Sequence, residues 1–149
     1  MRPSVECVGT VRVSLAPLKA LPLFTPEGER AWVEGWSPTY PSGRPRKPDR
    51  GLVFEVGKES GASVWIVTRF DEARRGASYG YVLPRRRAAL IDVDVEEEPG
   101  GEGSLVRVRY RMTSLSPDGD TFVRDFEEGF TDFLRSWETS LDRHLATAE

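Results

Sequence analysis

The sequence predicts an α+β domain in which an antiparallel sheet with one apolar face is covered by a long C-terminal helix. Three observations carry this. The last thirty residues hold a stripe of Phe122, Phe126, Phe130, Phe133 and Trp137, continued by Leu141. At about 100° per residue the stripe fills an arc of roughly 100°, and Arg124, Glu128, Arg135, Glu138 and Asp142 point away from it. The middle of the chain is a succession of segments of period two, rich in Val, Ile, Tyr, Phe and Trp. The last two of these sort into a charged face and an apolar face, and the apolar one needs cover.

Val5 to Val13 alternates Val5, Cys7, Val11 and Val13 against Glu6, Thr10 and Arg12, a half-buried strand with Cys7 inward and inert. Pro17 to Leu23 and Pro26 to Val33 read as two short helices, each opened by Pro, with Thr25 as the N-cap of the second. Trp36 to Arg50, rich in Pro, Gly, Arg and Lys, reads as a long loop. An antiparallel meander follows in Gly51 to Val56, Ser63 to Phe70, Ser78 to Leu83, Ala88 to Glu96 and Ser104 to Met112. A two-residue Gly-Gly turn within Pro99-Gly100-Gly101-Glu102 sets Asp94 opposite Arg107 and Asp92 opposite Arg109 on one face. Val95 then meets Val106, Val93 meets Val108 and Ile91 meets Tyr110 on the other. Ser116-Pro117-Asp118-Gly119 introduces the closing helix.

At 149 residues the chain is one domain, long enough for a full hydrophobic core. A single cysteine excludes an internal disulfide and a cysteine-based zinc site, and suits a reducing compartment. A single histidine, His144, leaves no imidazole partner for a metal site or a relay. No signal-peptide run and no membrane-spanning stretch is present, so the expectation is a cytoplasmic protein without membrane insertion. Acids and bases are interspersed with a net charge of -3, which gives no field for nucleic acid.

The element order, together with Leu23-Phe24-Thr25-Pro26-Glu27-Gly28-Glu29-Arg30-Ala31-Trp32-Val33-Glu34-Gly35-Trp36-Ser37-Pro38, resembles the START-like, or SRPBCC, superfamily, which includes polyketide cyclase/dehydrase-type proteins. Trp65 to Asp71, Tyr79-Gly80-Tyr81-Val82 and the closing helix with Trp137-Glu138 extend the resemblance over nearly the whole chain. It implies a single START-like domain over residues 1–149 with a helix-grip fold: a strongly bent sheet wraps the C-terminal helix and leaves an apolar cavity between them. Members carry lipids, steroids or polyketides, some catalyse cyclisation, and one branch activates chaperones, so the fold does not select the chemistry.

The aromatic stripe is therefore either a cavity wall or ordinary core. Gly129, mid-helix at the edge of the stripe, costs about 1 kcal/mol relative to Ala and marks close packing or space. Phe54, Tyr110 and Met112 face the helix by alternation, and Tyr79 and Tyr81 share a face. Tyr81 and Tyr110 are candidate polar tips for a ligand, or tyrosines whose hydroxyls reach an edge or solvent. In the second meander strand Trp65, Val67 and Arg69 share one face and Val64, Ile66, Thr68 and Phe70 the other, and alternation does not decide which is inward. Arg44-Pro45-Arg46-Lys47-Pro48-Asp49-Arg50, near Tyr40 and the tryptophans, is a gate for an anionic group or a solvated loop. Arg85-Arg86-Arg87 reads as a solvated connection, and Glu27, Glu29 and Glu34 as exposed. No nucleophile elbow, phosphate loop or metalloprotease motif occurs, and no catalytic residue is identified.

The expected function is binding of a small, largely hydrophobic ligand, lipid-, steroid- or polyketide-like, between sheet and helix. Its candidate contacts are Trp36, Phe54, Tyr81, Tyr110, Phe126, Gly129, Phe130, Phe133 and Trp137, with the basic loop and short helices at the mouth. The rivals are a cyclase-like enzyme acting on a carbonyl substrate, with Tyr81, Tyr110 or Arg69 polarising it, and a chaperone-activator-like protein-binding module. No cofactor or metal is expected; a homodimer is an open possibility.

Overall fold

A computed structural model describes residues 1–45, 47–57 and 61–147. Alternation puts the strands where expected to within a residue or two: β1 Ser4–Val13, β2 Val53–Val56, β3 Ser63–Asp71, β4 Gly76–Leu83, β5 Arg87–Glu97 and β6 Ser104–Ser114. They form one bent antiparallel sheet in the order β1-β6-β5-β4-β3-β2. Val5, Cys7, Val11 and Val13 of β1 are buried, and Val93, Val95, Val106 and Val108 continue the same inner layer. Burial raises the Cys7 thiol pKa, and Glu127 adds to that, so the thiolate is disfavoured.

The β5–β6 register is the expected one, with Asp94 opposite Arg107 and Ile91 opposite Tyr110. The turn differs. Pairing continues to Glu98 and Gly103, and the Gly101 amide donates to the Glu98 carbonyl at 3.1 Å, with Gly100 at φ +70°. Pro99 and Gly100 thus take the central positions of a type II-like turn rather than Gly100 and Gly101. The four-residue connection preserves the pairing because it is symmetric about the same point. The outward charges also choose different partners: Asp94 pairs with Arg69 at 3.0 Å, Asp92 accepts from the Ser78 hydroxyl at 2.6 Å, and Arg109 lies 3.8 Å from Glu6. Across β2 to β5 the outer face turns apolar, with Val53, Val64, Ile66, Val82 and Leu90 exposed.

A bulge decides the orientation of β3. Val67 pairs with Tyr79 but Arg69 pairs with Ser78, so Thr68 is an extra residue and the faces exchange there. Trp65 and Val67 precede the exchange and face in; after it Arg69 faces out and Phe70, opposite Ala77, faces in. Gly76 leaves room for the ion pair, since a Cβ there would overlap Arg69 and Asp94.

Between β1 and β2 the chain makes a short helix, α1 Pro17–Ala20, that runs directly into a 3₁₀ turn at Leu21–Phe24. A second 3₁₀ turn covers Gly28–Ala31, shorter than the helix expected from Pro26 to Val33. The C-terminal helix is also two elements, α2 Pro117–Glu128 and α3 Phe130–Thr147, separated at Gly129. Ser116 caps α2 by accepting from the Gly119 amide at 3.1 Å, and Asp118 and Asp120 lie in its first turn. Gly9 lets α3 approach β1 closely, since a Cβ there would overlap Leu134. Glu138 of α3 accepts a hydrogen bond from the Arg12 amide of β1, an edge strand, at 2.7 Å. No helix among the described residues is long and apolar enough to cross a membrane.

Candidate functional site

Thr25 organises the segment that enters the interior. Its hydroxyl donates to the Pro22 carbonyl at 2.7 Å and accepts from the Gly28 amide at 3.0 Å, joining the two 3₁₀ turns. Gly28 is required because a Cβ would overlap the Pro22 carbonyl oxygen. Within the second turn the charges divide. Glu27 turns outward to Arg30 at 3.0 Å, Arg44 at 2.8 Å and the Tyr40 hydroxyl at 2.7 Å. Burial works against the Glu27 carboxylate, but the Tyr40 hydrogen bond and the two arginines hold its pKa below the usual range. Glu29 turns inward.

It reaches a cavity of about 380 Å³ between the inner sheet face and the C-terminal helices. Ten aromatic side chains line it, among them Trp65 stacked on Tyr81 at 4.5 Å and Phe133 against Trp137 at 5.3 Å. Val33, Ile91, Val93 and Met112 complete the apolar wall. Most polar atoms on this surface are already engaged: the Tyr79 hydroxyl donates to the Phe24 carbonyl at 2.7 Å, and the Trp65 indole to Ser63 at 2.8 Å. Arg87 donates through Nε to the Tyr81 hydroxyl at 2.9 Å and lies 3.6 Å from the Phe122 ring centroid. Phe122 is 41% exposed, which makes this corner the mouth.

Glu29 and Tyr110 are different. Neither side chain has a hydrogen-bond or ion-pair partner among the described residues, where no fully enclosed side-chain oxygen or nitrogen lacks one. Their oxygens therefore open onto the cavity. Glu29 keeps some surface toward that space, yet desolvation raises its carboxyl pKa to about 8. No cation among the described residues is placed to offset the burial. Desolvation, followed by the nearby Glu29 and Tyr81, raises the Tyr110 hydroxyl well above its ordinary value. At neutral pH the cavity thus holds a neutral carboxylic acid and a neutral phenol in an aromatic wall. Both can donate a hydrogen bond, and the acid can also exchange a proton.

Of the expected contacts, Trp36, Tyr81, Tyr110, Phe126, Phe133 and Trp137 line this cavity. Phe54 does not; it is 1% exposed and stacks behind Trp65 at 5.5 Å. Phe130 is packed into the core against Tyr110 and beside Gly9. Gly129 ends α2 instead of bordering a void, and a Cβ there would meet only the Asp125 carbonyl of its own helix at 3.3 Å. Arg69, considered as a carbonyl-polarising group, is on the outer face because of the bulge.

Two lining residues run against expectation. Glu29 was expected to be exposed, but it shares the spacing of Trp32, Val33 and Trp36, which is the periodic signal for its inward face. Arg87 was expected to be solvated, yet it has the parity of Ala89, Ile91 and Val93, all buried. None of the described residues of the basic loop lines the cavity: Arg44 pairs with Glu27 and Lys47 with Glu72 at 3.1 Å, and Arg46 lies outside the described residues. Among the described residues no cluster of three or more His, Cys, Asp or Glu is placed to hold a metal ion.

No protein-family model matches the chain, and no curated protein matches it. Solved structures do. Protein MLL2253 from Mesorhizobium loti is 18% identical with a TM-score of 0.64, covering 93% of this chain and 98% of that one. Ara h 8.0201 is 14% identical with a TM-score of 0.63 over 93% and 98%. XoxI from Bacillus cereus is 16% identical with a TM-score of 0.65 over 92% and 95%. At these identities the likeness shows the fold alone, which is helix-grip.

Proposed function

We propose that the chain is a single START-like domain, residues 1–149, that binds a small, largely hydrophobic ligand in the cavity between the sheet and the C-terminal helices. The observation that supports this is the cavity itself: about 380 Å³ walled by ten aromatic side chains, with few polar groups. Space of this kind suits an apolar guest, which gains affinity from the area it removes from water. Trp36, Tyr81, Tyr110, Phe126, Phe133 and Trp137 are the proposed contacts, with Phe122 and Arg87 at the mouth. A lipid, a steroid and a polyketide all fall within the class.

The experiment is native mass spectrometry of protein purified from its own host, paired with uptake of a hydrophobic fluorescent probe. A retained small molecule and probe uptake that Val33→Trp abolishes in a folded protein are the expected results. Absence of both overturns the reading. The second reading, a cyclase-like enzyme acting on a carbonyl substrate, is favoured by Glu29, which places a proton-exchanging group among the ligand contacts. It requires the retained molecule to be converted on incubation, with conversion lost in Glu29→Gln.

A further inference from the structure

Building on the ligand-binding reading, we propose that the guest carries a neutral oxygen, a carbonyl or a hydroxyl, and that the Glu29 carboxyl and the Tyr110 hydroxyl are its hydrogen-bond partners. The argument is one of unused valence. Tyr79 is spent on the Phe24 carbonyl, Tyr81 receives the Arg87 hydrogen bond, and Ser63 donates to the Val56 carbonyl while accepting from Trp65. Among the cavity's side-chain oxygens, those of Glu29 and Tyr110 alone have no partner among the described residues; the Trp137 indole N–H, also in the wall, has none either but can only donate. A polar group held in an apolar wall without a partner is costly, and a guest that supplies one recovers that cost.

Charge selects the kind of oxygen. The groups facing Glu29 across the cavity are Tyr79 on β4 and Tyr110 on β6, both neutral and both raised in pKa by burial and by Glu29 itself. Its neighbour Arg30 is turned away to Glu27 and the Pro38 carbonyl, and Arg87 is held at the mouth by Tyr81 and the Phe122 ring. Among the described residues nothing cationic therefore stands beside Glu29 to take a ligand carboxylate or phosphate. Such a group would meet a carboxyl and two phenols in a desolvated wall. A ketone, enone or alcohol meets a donor, and an alcohol can donate in return.

The two oxygens are also separated from the mouth by chemistry. At Phe122 the wall carries a guanidinium; at Glu29 it carries a neutral acid. A guest with one neutral oxygen is thus given an orientation that apolar packing does not provide.

The test uses 2-acetylnaphthalene and 2-ethylnaphthalene, matched in shape and differing in the oxygen, with affinities measured by isothermal titration at about pH 6.5 and about pH 9.5. In the wild type the ketone should bind about tenfold tighter than the hydrocarbon at the lower pH. That preference should shrink at least threefold at the higher pH, where Glu29 is ionised and can no longer donate. Glu29→Gln, whose amide donates at both pH values, should keep the preference at both. Equal affinities at pH 6.5, or a wild-type preference unchanged at pH 9.5, overturn the inference while leaving hydrophobic binding intact. Failure of both probes to bind the wild type at pH 6.5 overturns the ligand-binding reading and the inference with it.

Discussion

Replacing Glu29 by Gln should change how stability depends on pH. Burial raises this carboxyl from its ordinary 4.5 to about 8, a difference that corresponds to about 5 kcal/mol. The sign follows from proton counts. Between those two values the folded chain holds a proton at Glu29 that the unfolded chain has released, so stability falls as pH rises through the window. Above about pH 8 both states are ionised and the loss is complete. Glu29→Gln has no proton to exchange, keeps the volume and keeps a donor. The stability of the variant minus that of the wild type should therefore grow by several kcal/mol between about pH 5 and pH 9, toward the full 5. In a chain of this length that is a widening of the gap in midpoint temperature by about 10 to 20 °C. Urea denaturation followed by the fluorescence of the four tryptophans measures it directly. Glu27, whose lowered pKa adds stability above the carboxylate range and loses it on acidification, contributes equally to both proteins and cancels. A difference that changes by less than about 1 kcal/mol across the range would mean that the Glu29 carboxyl is solvated, and the account of the site would fail.

Other expectations rest on single contacts. Tyr79→Phe leaves the Phe24 carbonyl without its donor and should cost about 1 to 3 kcal/mol, whereas Tyr110→Phe, which removes an unpartnered hydroxyl, should change stability by under about 1 kcal/mol in the same assay. Gly28→Ala drives a methyl into the Pro22 carbonyl and should destabilise by about 1 to 3 kcal/mol, with loss of probe uptake before unfolding. Gly129→Phe should leave probe uptake unchanged, since that position does not line the cavity. Arg85 holds φ +64° in the β4–β5 turn, so Arg85→Gly should raise the melting temperature, with a gain of about 1 kcal/mol.

What the sequence reveals depends on how local the cause is. The register of Asp94 on Arg107 is legible because a single slip would mix charged and apolar faces, and this constraint survives an error in the turn itself. The orientation of Arg69 is not legible. The extra residue at Thr68 carries no local signature, and its effect is to reverse every assignment beyond it. Six of the nine candidate contacts face the cavity because helical and strand periodicity select faces well. Phe54 and Phe130 share those faces but lie where the wall is filled behind, a distinction set by the bending of the sheet rather than by period. Glu29 and Arg87 follow the same periodicities as their apolar neighbours. Reading them as solvated relied on the usual exposure of charged residues, and a cavity is the place where that habit breaks down.

The hydrogen bond from the Arg12 amide to Glu138 ties two otherwise separate liabilities together. β1 is an outer strand, and its free amides are a template for another chain's strand. Glu138 lies one residue beyond Trp137, which lines the cavity, so the same turn of α3 guards both the strand margin and the interior. Any excursion that lifts this turn to admit a large guest also bares part of that margin. Ligand entry and self-association would then draw on one opening event, and a bound guest, by favouring the closed form, would protect the protein from aggregation as well as from unfolding.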